Sequence, residues 1–203
     1  MITNLYVGNT DWPHKNFWMG RDQTEGSTGY KFFMWDSEWS LGLRSDLNTN
    51  QVGIGATGIA EPWPYMRQNA EFQMLVADRL HRFFFNGGPL YVDPADPAWD
   101  PEHPEKNRPA ALFMRLADTV DRAVVAESAR WGDQHASVPY TRDEHWENER
   151  DRLLRTYFPS RSDVVLGQFR AAGLYPSLGA PFFNQHGGTI AEGFLLTMQA
   201  RQG

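Results

Sequence analysis

Residues 17–21, FWMGR, and residues 30–35, YKFFMW, decide the fold of the first half of this chain. Both runs are rich in aromatic residues, which are enriched in β-strands. Residues 22–29 between them, DQTEGSTG, are polar and contain two glycines, as is typical of a chain reversal. The stretch therefore predicts a β-hairpin with a long loop.

Irregular sequence follows the hairpin. Residues 37–66 are rich in glycine, asparagine and proline, and they predict a long surface loop. Within it, residues 53–58 match the G-x-G-x-x-G pattern of phosphate-binding loops, which leave a strand and open a helix. Polar residues precede this match, and Pro62 and Pro64 follow it, so we expect a plain loop. Residues 1–8 fit the last turns of a helix.

The second half is predicted to be helical, because apolar residues repeat there at helical spacing. The three apolar stripes are Phe72, Leu75, Val76, Leu80 and Phe83; Leu112, Leu116, Val120 and Val124; and Trp146, Leu153, Leu154 and Tyr157. Capping-box patterns at residues 141–144 and 160–163 predict two helix starts, and Gly173 is placed to end the last helix. Residues 174–203 are predicted to be extended, with a strand at residues 193–199. The predicted class is α+β, a hairpin followed by a mostly helical half.

Composition excludes several classes of function. The formal net charge is −6, with acidic residues throughout the chain, so we expect no nucleic-acid partner. The chain has no cysteine, which excludes disulfides, thiolate metal sites and a thiol nucleophile. No apolar run reaches the roughly 18 residues of a membrane span, and we expect none. The six histidines lack the spacing of a zinc site.

One group of residues near the start has the chemistry of a reaction centre. Asp11 and Asn16 lie five positions apart before the first predicted strand, and Asp36 follows the second. Phosphoryl transfer uses one carboxylate to orient or deprotonate the acceptor hydroxyl, and an asparagine with a second carboxylate to hold Mg²⁺. D-x-x-x-x-N is also the spacing of the protein-kinase catalytic loop. The pattern alone leaves open that Asp11 begins a turn and Asp36 caps a strand.

The residues around this group resemble a known family. Residues 8–18, GNTDWPHKNFW, followed by residues 30–36, YKFFMWD, are similar to the core of the CotH family, the spore-coat-protein-H-like kinases. The similarity extends over nearly the whole chain, through residues 71–88, 126–133, 153–161, 173–176 and 181–188. Its most specific part is the order of an Asp, an Asn, an aromatic strand and a closing Trp-Asp pair.

The resemblance implies an atypical protein kinase with a kinase-like C-lobe, which uses ATP and Mg²⁺ or Mn²⁺ to phosphorylate Ser on a protein substrate. It makes Asp11 the catalytic aspartate and Asp36 a metal ligand. It also makes Asn16 a metal and phosphate contact and Glu38 an auxiliary metal ligand. Residues 1–175 would form the C-terminal portion of the kinase domain, and residues 176–203 an exit segment or the start of a β-rich module. The family suggests an extracytoplasmic or cell-surface location.

The chain departs from a whole kinase at its start. A phosphate-covering loop, a phosphate-binding lysine and its glutamate partner belong upstream of the catalytic aspartate. Only ten residues precede Asp11, so we expect a chain truncated at its start that binds nucleotide poorly and does not turn over alone. Residues 193–199 are typical of a first strand without its sheet, so we expect truncation at the end as well. One alternative is a non-catalytic structural or interaction domain of a cell-surface or coat protein. A weaker one is glycoside hydrolysis by Asp36 and Glu38.

Overall fold

A computed structural model describes residues 1–134, 136–178, 181–185 and 188–199. In chain order the elements are α1 (Ile2–Val7), β1 (Phe17–Arg21), β2 (Tyr30–Met34), α2 (Trp63–Met66), α3 (Ala70–Phe84), α4 (Arg108–Trp131), α5 (Glu147–Arg152), α6 (Phe158–Ala171), β3 (Phe182–Phe183) and β4 (Met198–Gln199). The fold is therefore mixed α+β, as predicted. No helix within the described ranges is long and apolar enough to cross a membrane.

The predicted hairpin is confirmed. β1 and β2 pair antiparallel, with Trp18 opposite Phe33 and Met19 opposite Phe32. β2 ends at Met34, one residue before the predicted end, although the Trp35 amide still donates to the carbonyl of Asn16, at 3.2 Å. Side chains on both faces of the hairpin are exposed to solvent.

The larger hydrophobic core joins α1, the segment after the hairpin, α3 and α6. Its buried residues are Leu5, Tyr6, Trp12, Val52, Ala60, Trp63, Val76, Leu80, Phe84, Val165, Leu166, Phe169, Leu174 and Tyr175. The prediction that residues 37–66 lie over the surface is wrong for three of these, Val52, Ala60 and Trp63. They are apolar, and Trp63 also donates its indole N–H to the Val52 carbonyl at 2.9 Å, so this loop is anchored in the core.

The predicted stripe of α3 is confirmed except at Leu75, which is 48% exposed, whereas that of α4 is wrong. Val76 and Leu80 of α3 are buried. On α4, Leu112, Leu116 and Val120 are exposed, and the smaller Ala110 and Ala117 are buried instead. Helical spacing identifies a face, but the neighbouring element decides which face is buried. Phe113 and Met114 of α4 are partly buried with Ala110 against the long helix described next.

The second core is formed by α4 and the middle of one long helix. Its buried residues are Ala110, Leu153, Leu154, Tyr157 and Phe158. The long helix spans residues 142–171. It begins with a π-helical turn, Arg142–Trp146, continues as α5, and passes through a second π-helical turn, Leu153–Tyr157, into α6. Its predicted start is confirmed, because the Thr141 hydroxyl accepts the Glu144 amide at 3.2 Å.

The predicted helix start at residues 160–163 is wrong, because Ser160 lies inside the long helix. Pro159 favours a break at this point, since it has no N–H and its ring clashes with the carbonyl four residues earlier. A π-helical turn, Leu153–Tyr157, spans that carbonyl and absorbs the change of register.

The end of the long helix agrees with prediction. Gly173 has φ +70°, its amide donates to Arg170 at 3.0 Å, and the Leu174 amide donates to Phe169 at 2.9 Å. This pair of bonds is a Schellman motif, which satisfies carbonyls of the last turn. Beyond it, β3 pairs with β4, so the predicted strand at residues 193–199 is confirmed only at its end. Residues 179–180, 186–187 and 200–203 of the predicted extended segment lie outside the described residues.

Candidate active site

The Asp11 carboxylate lies at the centre of the predicted site. Its side chain is only 8% exposed. Asn16 donates its side-chain amide to Asp11 Oδ2 at 2.8 Å, and Lys15 Nζ is 2.9 Å from the same oxygen. His14 Nε2 is 3.7 Å from the other oxygen, Oδ1. The structure thus brings the predicted pair Asp11 and Asn16 together, with two cationic or potentially cationic neighbours.

Buried residues on either side fix the position of Asp11. Trp12 packs in the larger core, at 3% exposure. Asn9 is fully buried and accepts the backbone amide of Asp11 at 3.0 Å. The side-chain amide of Asn9 in turn donates to Asn4 Oδ1 in α1, also at 3.0 Å. The carboxylate is therefore tied to α1 through one asparagine and to the core through the next residue.

A second segment runs antiparallel beside this loop and carries Asp36 and Glu38. Three backbone hydrogen bonds join the two segments. The Trp35 amide donates to the Asn16 carbonyl at 3.2 Å, the Thr10 amide to the Trp39 carbonyl at 3.0 Å, and the Leu41 amide to the Val7 carbonyl at 2.8 Å. Asp36 and Glu38 lie between the first two of these bonds. Both side chains are exposed. Neither forms a hydrogen bond or ion pair with Asp11 in the described part of the chain.

Strained backbone coincides with two of the predicted residues. Asn16 has φ +58° and Asp36 has φ +49°, the left-handed region that most non-glycine residues avoid. Asn and Asp enter this region at lower cost than other residues, so the sequence is compatible with the geometry. Asn16 pairs with Trp35, the residue before Asp36, at the base of the hairpin, because the Trp35 amide donates to the Asn16 carbonyl. Strain of this kind clusters at functional sites.

The donor chemistry of these residues fits a hard divalent cation. Asp36 and Glu38 offer carboxylate oxygens, and Asn16 offers Oδ1, because its amide nitrogen is engaged with Asp11. Mg²⁺ prefers such oxygen ligands and usually keeps several waters and substrate phosphates besides one or two carboxylates. Among the described residues no group of three or more His, Cys, Asp or Glu could hold a metal ion. The described residues therefore form no protein-only cation cage here, and the metal role of Asp36, Asn16 and Glu38 stays a prediction.

Residues that the sequence reasoning did not assign also belong to the site. Lys15 lies four residues after Asp11, a spacing that could have indicated the ion pair. Its Nζ is also 5.8 Å from the centre of the Trp39 ring, over which Arg44 stacks at 4.5 Å. These contacts hold the two segments together by cation–π attraction.

The predicted loop at residues 53–58 is confirmed, and it supports the Asp11 loop. The loop does not follow a strand, and no helix begins at Gly55. It ends in a short 3₁₀ turn, Gly58–Ala60. The Ile59 amide donates to the Pro13 carbonyl at 3.2 Å. This loop therefore packs under the turn that carries Asp11 and does not form a phosphate cradle of its own.

Two clefts in the described chain lie away from these residues. One, of about 450 Å³, is lined by residues including Val125, Tyr140 and Arg142. The other, of about 550 Å³, is lined by residues including Trp99 and Arg150. The candidate site lies in neither and is open to solvent on the side of Asp36.

No family model, curated protein or solved structure matches this chain. The resemblance to the CotH family stays a prediction based on the motifs given above.

Proposed function

We propose that this chain carries the carboxylates of a metal-dependent phosphoryl-transfer site, in which ATP donates a phosphoryl group to Ser of a protein substrate, as in CotH-like kinases. The observation that carries the proposal is the coincidence at the hairpin base. Asn16 contacts the buried Asp11 and is joined by a backbone hydrogen bond to Trp35, the residue before Asp36, and both Asn16 and Asp36 are held in the left-handed region.

In this proposal Asp11 orients the acceptor and takes its proton. Asn16 and Lys15 both contact Oδ2, so we assign proton acceptance to Oδ1, whose neighbour is His14 Nε2 at 3.7 Å. As the Ser oxygen bonds to phosphorus, its proton passes to Asp11, and the bond to ADP breaks. Lys15 and Asn16 keep the carboxylate in one orientation, which is the main contribution a residue can make to phosphoryl transfer.

Asp36 and Asn16, with Glu38 as an auxiliary ligand, are assigned to Mg²⁺ or Mn²⁺. When bound, the cation neutralises charge on the phosphates. Such neutralisation is needed because the chain has a net charge of −6 and presents two carboxylates here. Asp11 is a poor ligand by comparison, since Lys15 already pairs with it.

Calorimetric titration with ATP and Mn²⁺ tests the proposal, with Asp36→Asn as the variant. Asn tolerates the positive φ at this position, so only the charge is removed. Glu25→Gln, in the exposed loop at the other end of the hairpin, is the matched control. We expect weak, Mn²⁺-dependent binding to wild type and to Glu25→Gln, and at least tenfold weaker binding to Asp36→Asn. Equal binding by Asp36→Asn, or binding that does not depend on the metal, would contradict the proposal.

A non-catalytic interaction domain is the second candidate, and the exposed hairpin favours it. Trp18, Phe32 and Phe33 are 61%, 57% and 58% exposed, on both faces. A lone two-stranded hairpin is marginally stable in water, so a partner that covers it would stabilise it. Under this candidate, Phe33→Ser changes assembly with the partner, whereas Asp36→Asn does not.

A further inference from the structure

Arg161 of the long helix is the largest fully buried side chain in the described part of the chain, at 0% exposure. A buried arginine usually pairs with a carboxylate. In the described residues, Arg161 instead donates only to backbone carbonyls. Its Nε donates to Tyr6 at 2.6 Å, and its Nη2 donates to Leu5 at 2.9 Å and Thr49 at 3.0 Å. Nη1 donates to the carbonyl of Leu47.

These carbonyls come from two separate places beside the candidate site. Leu5 and Tyr6 are in the last turn of α1, where carbonyls lack the usual partner four residues on. The Leu5 carbonyl also accepts the Gly8 amide at 3.3 Å, and the Tyr6 carbonyl also accepts the Tyr157 hydroxyl at 3.3 Å. Leu47 and Thr49 lie in the irregular segment after the hairpin. A planar guanidinium has five N–H donors in a fixed fork, so one side chain can hold both segments at once. The ring of Tyr157, 5.7 Å away, packs against its face.

A short chain of contacts leads from Arg161 to Asp11. After Tyr6 the chain turns at Gly8, with φ +64°, where a Cβ would lie 3.4 Å from Arg161 Nη2. Asn9 follows, and its side chain bonds Asn4 of α1 on one side and the Asp11 amide on the other. The position of α1 against Arg161 therefore sets the position of the Asp11 backbone.

We propose that Arg161 is a positioning residue for the candidate active site, which holds the end of α1 and thereby fixes the Asp11 loop. This inference rests on the proposed function only for the chemistry that it assigns to Asp11. Lysine cannot replace Arg161 in this role, because a single ammonium with three donors cannot reach both Nη positions and Nε. Arg152 of the same helix makes a related bond, to the Leu41 carbonyl at 2.7 Å, on the neighbouring segment.

The test compares Arg161→Lys with Arg155→Lys by ¹⁵N–¹H NMR. Arg155 is on the same helix but its side chain is 80% exposed, so it serves as the matched control. The backbone amide of Asp11 and the side-chain amide of Asn16 report the site, and the backbone amide of Leu80 reports the core. We expect Arg161→Lys to stay folded, with an unchanged Leu80 peak but shifted or broadened Asp11 and Asn16 peaks. Arg155→Lys should leave all three unchanged.

Two outcomes overturn the inference. Unchanged Asp11 and Asn16 peaks in Arg161→Lys would show that another contact fixes the loop. Unfolding of the variant, or an equal disturbance at Leu80, would make Arg161 a residue of the general fold. Nucleotide titration of the same samples keeps the two proposals apart. If wild type does not bind ATP with Mn²⁺ but the peaks move as expected, the positioning role stands and the phosphoryl-transfer proposal fails. If wild type does bind, Arg161→Lys should bind at least tenfold more weakly.

Discussion

Replacing Gly58 with alanine should be one of the most disruptive small changes near the site. Gly58 has φ +51°, and a Cβ built there lies 2.7 Å from the Cα of His14 and closer still to the Pro13 carbonyl oxygen. Alanine in the left-handed region costs about 1–2 kcal/mol. Displacing packed backbone adds about 1–3 kcal/mol. We therefore expect Gly58→Ala to lower the free energy of unfolding by about 3 kcal/mol, or the Tm by about 6–12 °C for a chain of this length.

Gly53 and Gly55 of the same loop are the controls, and thermal unfolding followed by circular dichroism is the assay. A Cβ at either position meets nothing within 4 Å, and neither residue has a positive φ. Gly53→Ala and Gly55→Ala should therefore change the free energy of unfolding by less than about 0.5 kcal/mol. They should also leave nucleotide binding unchanged, since the loop is not a phosphate cradle. A Gly58→Ala variant that melts within about 2 °C of wild type would refute the steric reasoning.

Three other predictions follow from buried and exposed groups. Asn9→Ala should lower the free energy of unfolding in urea by about 2–4 kcal/mol, because it leaves Asn4 Oδ1 and the Asp11 amide buried without a partner. Asn148→Ala, at an exposed position, is the control and should be nearly neutral. Similar losses in both variants would contradict the role assigned to Asn9. Burial raises the pKa of Tyr6, so the native state keeps its proton where the unfolded chain loses it. The stabilisation from Tyr6 is thus fully present below about pH 10, and above that pH the free energy of unfolding falls by up to about 1.4 kcal/mol per pH unit. Tyr6→Phe should make this fall above about pH 10 less steep. An equally steep fall in the variant would contradict the role of Tyr6. Phe33→Ser, at a 58% exposed position, should raise solubility and shift the free energy of unfolding by less than about 0.5 kcal/mol, whereas a large loss would mean that the hairpin is packed.

Local patterns predicted the elements that depend on local chemistry. The hairpin followed from two aromatic runs and a glycine-containing loop, and the Gly173 motif followed from the need for a left-handed residue after the helix. Long-range packing decided what these patterns could not. The exposed stripe on α4 is as regular as the buried one on α3, and only the position of the long helix distinguishes them. The continuation of that helix through Pro159 depends on a π-helical turn for which the sequence carries no clear signal.

In the candidate site, too, local sequence patterns predicted some features, and long-range packing decided the others. The spacing of Asp11 and Asn16 placed them in one short loop, and the structure brings their side chains into contact. The neighbourhood of Asp36 followed from the hairpin, since its strands return the chain to the start of the loop. The roles of Asn9 and Arg161 could not be predicted, because they depend on carbonyls and amides that the fold brings together from distant positions.

The most direct test of the central claim is paramagnetic broadening by Mn²⁺, measured on backbone amides in the presence of ATP. The account predicts that substoichiometric Mn²⁺ broadens the amides of Asn16, Asp36 and Glu38 first, and that Asp36→Asn abolishes the effect. Broadening that begins instead at the acidic residues 93–105, or that is the same in Asp36→Asn, would contradict a metal–nucleotide site at the base of the hairpin.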